Sequence, residues 1–126
     1  MQTTKRTTHA HVLVCVGCCC GRVDRGKPEV PVDWLKAEWK RRQLLKHVQL
    51  SISGCLGPCD LVNVVAIAGA GGIEYYGGLT THAHFEALVD WAAACAATQR
   101  QLPLPPLLGD GRIARFHAPA ALAAAV

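Results

Sequence analysis

The arrangement of cysteines constrains this chain more than any other feature of its sequence. Seven cysteines occur among 126 residues, and Cys95 stands alone. The other six form two tight groups, which are Cys15, Cys18, Cys19 and Cys20, and then Cys55 and Cys59. Disulfide-rich secreted proteins spread their cysteines along a short chain, whereas tight groups in a reducing cytosol are typical of metal sites. The spacing therefore predicts a metal site assembled from two distant segments.

Composition and charge exclude several other classes of protein. Apolar residues make up 51% of the chain, which favours one folded domain over a disordered chain. The net charge of +4 is small for a nucleic-acid-binding protein. No stretch reaches the roughly 18–20 unbroken apolar residues of a membrane helix, and Val12–Cys20 lacks the cleavage site of a signal peptide. We expect a cytoplasmic protein with neither a membrane nor a nucleic-acid partner.

The hydrophobic pattern predicts four strands and two helices. Val48–Ser53 alternates apolar and polar residues, as half-buried strands do, while continuous apolar runs are typical of buried strands. The predicted strands are His11–Val16, Val48–Ser53, Val62–Ala68 and Ile73–Gly77. A helix is expected to begin near Pro31 and to run from Trp34 to about Lys46. A second should follow a cap at Thr80 or Thr81, and its apolar face comprises Phe85, Leu88, Val89, Ala92 and Cys95.

These elements follow the order β-α-β-β-β-α, which predicts an α/β fold with a small mixed sheet. A helix between the first two strands implies that they run parallel, and the glycine turn Gly69–Gly72 implies an antiparallel hairpin. Residues 1–100 form the predicted domain. Residues 101–126 begin with leucines and prolines and end rich in alanine, and we expect them to form an extended C-terminal arm.

Parallel pairing of the first two strands would bring the two cysteine groups together. The first group follows strand one and the second follows strand two, so both loops should leave the sheet at the same end. An iron–sulfur cluster needs four thiolates that converge in this way. Glycines in both loops allow backbone N–H groups to approach the sulfurs. A four-cysteine zinc site requires the same convergence of four thiolates.

The pattern Cys15-x4-Cys20 followed by Cys55-x3-Cys59 resembles the ligand set of the thioredoxin-like [2Fe-2S] ferredoxin family. That family is related to the small [2Fe-2S] subunit of respiratory NADH dehydrogenase. The segment 53–60, Ser-Gly-Cys-Leu-Gly-Pro-Cys-Asp, is similar to its second ligand loop. The resemblance covers about residues 11–97. It implies a thioredoxin-like fold, a homodimer, and a [2Fe-2S] cluster held by Cys15, Cys20, Cys55 and Cys59.

Three consecutive cysteines depart from the family pattern and leave the second ligand open between two residues. Cys20 gives the spacing of the respiratory subunit. Cys18 instead gives Cys15-x2-Cys18, which is similar to small metal-binding proteins with a matching second loop. Cys20 is the preferred ligand, Cys18 is its alternative, and Cys19 is expected to be a spare thiol.

The predicted function is one-electron transfer between an unidentified reductase and acceptor, and the resemblance implies cobalamin biosynthesis as the setting. We expect no enzyme, because no catalytic set of Ser, His and Asp or Glu can be placed. One alternative is a zinc-binding structural or sensing module, and another is a thiol oxidoreductase that uses Cys15 and Cys18. A cluster of basic residues forms either a solvated helix face or a docking patch for an acidic redox partner, and its members are Lys36, Lys40, Arg41, Arg42 and Lys46.

Overall fold

A five-stranded mixed sheet forms the centre of the fold. The structure, a computed structural model, describes residues 1–118. Its strands are β1 (Ala10–Cys15), β2 (Val48–Ser53), β3 (Val65–Gly69), β4 (Gly72–Tyr76) and β5 (Arg112–Ile113). Their order across the sheet is β2-β1-β3-β4-β5. The β1–β2 pair is parallel and the other three pairs are antiparallel, so the predicted mixed sheet is confirmed.

Three helices accompany the sheet: α1 (Val32–Arg41), α2 (His82–Thr98) and the short α3 (Pro106–Gly109). The first helix joins β1 to β2, which is why that pair can run parallel. The hairpin between β3 and β4 turns between Gly69 and Gly72, as the glycine pattern predicts. Up to α2, the observed order of elements is the predicted β-α-β-β-β-α.

Helix α1 ends at Arg41, five residues before the predicted end at Lys46. Gln43 adopts a left-handed conformation with φ of 53°, and the backbone N–H of Leu44 donates to the carbonyl of Trp39 at 3.0 Å. This hydrogen bond across the helix end is typical of a Schellman motif. Leu44 then turns into the core and is only 2% exposed, so burial of one leucine ends the helix early.

The core lies between the sheet and the helices α1 and α2. Leu35 and Trp39 of α1 and Phe85 and Leu88 of α2 are all buried. The indole N–H of Trp39 donates to the carbonyl of Val48 at 2.8 Å and so ties α1 to β2. The predicted apolar face of α2 is confirmed, because every residue assigned to it is buried.

The chain after Gln101 packs on the body with more structure than the extended arm that the sequence predicts. The indole N–H of Trp91 donates to the carbonyl of Leu102 at 2.8 Å, and Leu108 of α3 is buried. Strand β5 then pairs with the end of β4. Residues 119–126 of the predicted arm lie outside the described part of the chain, and the domain boundary near residue 100 stays a prediction. Within residues 1–118, no helix is both long and apolar enough to cross a membrane.

Candidate metal centre

The two cysteine loops leave the sheet at the same end, as the parallel pairing predicts. Cys15 is the last residue of β1 and is paired in register with Ser53, the last residue of β2. The first loop therefore begins beside the second, although the two are separated by nearly forty residues of sequence. The backbone N–H of Cys15 also donates to the carbonyl of Val64 at 3.0 Å, which anchors this end of β1 to the chain before β3.

Three buried sulfurs converge at this end of the sheet. The Sγ atoms of Cys15, Cys20 and Cys59 all lie within 4.8 Å of one another, and Cys15 Sγ lies 3.9 Å from Cys59 Sγ. The Sγ atom of Cys55 lies 2.8 Å from that of Cys59, at the exposed edge of the group. Of the four cysteines that the family resemblance implies as ligands, the structure thus brings Cys15, Cys20 and Cys59 together, and Cys55 joins this group through its contact with Cys59.

A tight turn in the first loop separates Cys20 from its two cysteine neighbours. Gly17 and Cys18 both have positive φ, of 105° and 46°, and the N–H of Gly17 donates to the carbonyl of Cys20 at 3.0 Å. The turn leaves Cys18 exposed and Cys19 partly buried, with their sulfurs 4.0 Å apart. Cys20 returns to the interior and is fully buried. The choice between Cys18 and Cys20 stays a prediction, and this geometry favours Cys20.

The second loop needs glycine at position 57. Gly57 has φ of 116°, a conformation that side chains other than glycine rarely adopt. The carbonyl of Gly57 accepts from the N–H of Cys59 at 2.8 Å, at the start of a short 3₁₀ turn over Cys59–Leu61. This turn directs the Cys59 sulfur inward, toward Cys15.

Backbone groups near the sulfurs oppose the effect of burial on the thiol pKa values. The backbone of Leu56 acts to lower the pKa of Cys15, and that of Val64 acts to lower the pKa of Cys20, each against a larger rise from burial. The backbone of Gly57 acts in the same direction on the pKa of Cys55 and of Cys59. Hydrogen bonds to sulfur favour the thiolate form, and they are one of the main means by which proteins tune metal–thiolate centres.

Burial opposes ionisation of the inner thiols when no metal is bound. It raises the pKa of Cys15 to about 11 and also raises the pKa of Cys20. The pKa of Cys59 is raised by its hydrogen bond with Cys55 and by burial. The same hydrogen bond, with help from the Gly57 amide and the charge of Arg115, lowers the pKa of Cys55. A cation that binds here must therefore displace protons from the buried thiols.

Asn63 fixes the position of the first cysteine loop, and the sequence analysis missed it. It is the one buried polar residue among residues 1–118. Its Oδ1 accepts from the N–H of Gly21, next to Cys20, at 2.8 Å. Its Nδ2 donates to the carbonyl of Leu79 at 3.0 Å and to those of Pro28 and Glu29 at 3.2 and 3.4 Å. The sequence does contain a signal for this role, because Asn63 is a single amide in an apolar run. If such a residue is buried, its polar atoms need hydrogen-bond partners.

The C-terminal arm forms one wall of the site, which the sequence analysis also did not foresee. Ile113 of β5 and Tyr75 of β4 pack against the buried cysteines. The guanidinium of Arg115 lies against Gly57, where a β-carbon would overlap with its Nη2 atom. Among the arm residues up to position 118, Arg115 is the one that a β-carbon at Gly57 would meet.

The seventh cysteine belongs to the main core, and the basic patch of α1 is partly paired with acidic residues. Cys95 is buried in the main core, as predicted. Of the basic residues on α1 and after it, Arg41 pairs with Glu38 and Arg42 pairs with Asp90. The lysines of that helix, Lys36 and Lys40, are exposed, so the patch keeps part of its positive charge unpaired within the described chain.

Comparisons with known proteins add a likeness to solved structures. No protein-family profile matches the chain, and a search of curated proteins finds no similar sequence. Among solved structures, the chain is similar to the wild-type thioredoxin-like [2Fe-2S] ferredoxin from Aquifex aeolicus. The two share 20% sequence identity with a TM-score of 0.47, and the match covers 71% of this chain and 90% of that one. The case for a metal centre therefore depends on this chain's own cysteines.

Proposed function

We propose that the chain holds one [2Fe-2S] cluster on Cys15, Cys20, Cys55 and Cys59 and transfers single electrons between protein partners. The observation that carries the proposal is the convergence of three buried sulfurs within 4.8 Å, with a fourth in contact at 2.8 Å. Four thiolates from two loops meet the requirement of such a cluster. When bound, the cluster accepts and releases one electron, and the protein transforms no substrate.

The protein's own contribution is burial and hydrogen bonding. Cys15, Cys20 and Cys59 lie in a small apolar cluster with Val64, which keeps water from most of the site. The backbone of Leu56, Val64 and Gly57 acts to lower the pKa of the nearby thiols and so favours negative charge on their sulfurs. Because reduction adds one negative charge, these backbone groups favour the reduced state and raise the reduction potential.

A single zinc ion is the second candidate, and one distance between sulfurs of different loops is compatible with it. Around a tetrahedral ion with Zn–S bonds of about 2.3 Å, sulfurs lie about 3.8 Å apart. The separation of Cys15 Sγ and Cys59 Sγ is 3.9 Å. In that case the site would be a structural or sensing module rather than a redox centre.

A thiol oxidoreductase that uses Cys15 and Cys18 is disfavoured by the environment of both thiols. A reactive cysteine is exposed and has a lowered pKa. Cys15 is fully buried and its pKa is raised to about 11. The pKa of Cys18 is also raised, by its hydrogen bond with Cys19.

The partner in this proposal is a redox protein with an acidic surface. Arg25 and Lys27 are exposed in the first cysteine loop, and Lys36 and Lys40 are exposed on α1. Complementary charge would raise the rate of encounter and make it sensitive to salt. A cobalt-reducing step of cobalamin biosynthesis is the setting that the family resemblance implies, and reduction of a cob(III)alamin or cob(II)alamin acceptor by the loaded protein is its direct assay.

We extend the proposal to a homodimer. Trp39 and Trp91 are buried within one chain. We assign the subunit contact to the arm, where Leu107 and Phe116 are 49% and 67% exposed. Light scattering at micromolar concentration should give twice the chain mass, and a monomer with its metal centre intact would contradict this part.

Anaerobic purification tests the cluster directly. The protein should be red-brown, contain iron and sulfide in equal amounts, and give a rhombic EPR signal only after reduction. One zinc per chain without visible absorption, in protein prepared without oxygen, would instead establish the zinc site.

Serine substitutions test the ligands. Replacement of Cys15, Cys20, Cys55 or Cys59 should abolish or strongly weaken cluster binding, because each removes a thiolate bond to iron. Cys19→Ser and Cys95→Ser are the controls and should leave the visible spectrum unchanged. A bleached Cys18→Ser protein beside a coloured Cys20→Ser protein would show that Cys18 is the ligand.

A further inference from the structure

We propose that Arg115 is a positioning residue of the metal centre, whose guanidinium, held over Gly57 by the C-terminal arm, stabilises the negative charge that the centre gains on reduction. This inference rests on the function proposed above and assigns a role to a segment outside both cysteine loops.

The arm brings Arg115 to this place through several contacts with the sheet. Strand β5 pairs with Tyr75 and Tyr76 of β4, and the N–H of Gly77 donates to the carbonyl of Gly111 at 2.9 Å. Arg112 forms a 3.0 Å salt bridge with Glu74. Arg115 lies two residues beyond β5 and so follows a backbone that these contacts fix as far as Ile113.

Aromatic rings hold the guanidinium in a defined orientation. Its central carbon lies 5.6 Å from the centre of the Tyr75 ring and 5.8 Å from that of Phe116, within the range of cation–π interactions. The two rings are themselves in edge contact at 5.9 Å. Arg115 is thus restrained although the residue is exposed.

The charge of Arg115 is available to the site. None of the ion pairs among residues 1–118 includes Arg115; their basic members are Arg22, Arg41, Arg42, His82 and Arg112. Asp60 lines the same groove between the second cysteine loop and the arm without pairing with it. A cation with no bound carboxylate, lying against the loop that supplies Cys55 and Cys59, interacts with whatever charge that loop carries.

Glycine at position 57 permits this approach. A β-carbon there would overlap with the Arg115 guanidinium, so the loop backbone and the cation meet without an intervening side chain. Since Gly57 lies midway between Cys55 and Cys59 in the sequence, the cation lies beside the peptide segment that joins these two ligands.

The test is the reduction potential of the loaded protein, measured by redox titration, in Arg115→Gln and two matched variants. Arg115→Lys keeps the charge. Arg100→Gln removes the same charge from the end of α2, where the adjoining Gln101 contacts Gly69 at the opposite end of the sheet.

We expect Arg115→Gln to shift the equilibrium about threefold toward the oxidised form, a fall of about 28 mV at 59 mV per tenfold change. Arg115→Lys should keep the potential close to that of wild type, and Arg100→Gln should leave the potential unchanged. The shift should also shrink as ionic strength rises.

Equal potentials for wild type and Arg115→Gln, or a Lys variant that behaves like the Gln variant, would overturn the inference while leaving the proposed function intact. A wild-type protein without an iron–sulfur cluster would refute the proposed function, and this role with it, before any variant is measured. Circular dichroism and the iron content of each variant distinguish a shifted potential from a lost fold or a lost centre.

Discussion

Replacing Asn63 with alanine should destabilise the whole fold and loosen the first cysteine loop. The Asn63 amide makes hydrogen bonds to Gly21, Leu79 and Pro28 at 2.8, 3.0 and 3.2 Å, and a longer one to Glu29 at 3.4 Å. The first three have ordinary lengths for strong hydrogen bonds. At about 1 kcal/mol for each bond, Asn63→Ala should lower the free energy of unfolding by about 3 kcal/mol.

Urea unfolding of the reduced, metal-free protein measures this loss without a contribution from a bound metal. Fluorescence of the buried Trp39 and Trp91 reports the transition. With a slope of about 1.5 kcal/mol per molar urea, the midpoint should fall by about 2 M. The loaded variant should also release iron to a chelator faster than wild type, because Gly21 adjoins Cys20.

Gln49→Ala is the matched control for an amide that makes one weak contact. Its Nε2 donates to the carbonyl of Leu50 at 3.4 Å, and its removal should cost less than about 0.5 kcal/mol. If Asn63→Ala costs no more than Gln49→Ala, the hydrogen bonds of Asn63 do not hold the loop in the way described here.

Two further predictions concern local strain and pH. Cys18→Gly should raise the free energy of unfolding by about 0.5–1 kcal/mol, because relief of the positive φ of Cys18 (46°) exceeds the added entropy of the unfolded chain; a urea midpoint below that of Cys18→Ala would contradict it. The pKa of Tyr76 is raised to about 12 by burial and by its hydrogen bond to Glu74. The unfolded chain therefore loses this proton first, and stability should fall as pH rises from about 10 to 12. Tyr76→Phe should show a shallower fall in urea titrations over that range.

Sequence patterns predicted the elements because each depends on local periodicity or on one turn. The strand over Val48–Ser53 and the apolar face of α2 both appear where expected, although only Val48 of that strand is buried and the other five residues are all partly buried. Parallel pairing of β1 and β2 then follows from the helix between them, and with it the meeting of the two cysteine loops. The convergence of the sulfurs could therefore be predicted from the sequence.

The residues that the sequence missed depend on contacts distant along the chain. Asn63 lies in a run that reads as a buried strand, and its role depends on Gly21 and Leu79, which are brought to it only by folding. Arg115 lies beyond a proline-rich segment with no periodicity, and its position depends on pairing between β5 and β4. Helix α1 ends before its predicted end because Leu44 is buried in the core, and that burial depends on the folded chain.

Strand β5 also reduces the length of open sheet edge that could pair with other copies of the chain. An open strand edge is a template for intermolecular pairing and aggregation. The pairing of Ile113 and Arg112 covers the edge of β4 at Tyr75 and Tyr76, and the adjoining stretch carries Glu74, a charge that discourages strand addition. Because β5 is only two residues long, it offers little edge of its own. The short strand therefore disfavours aggregation at this side of the sheet, because a longer edge strand would offer more backbone groups for intermolecular pairing.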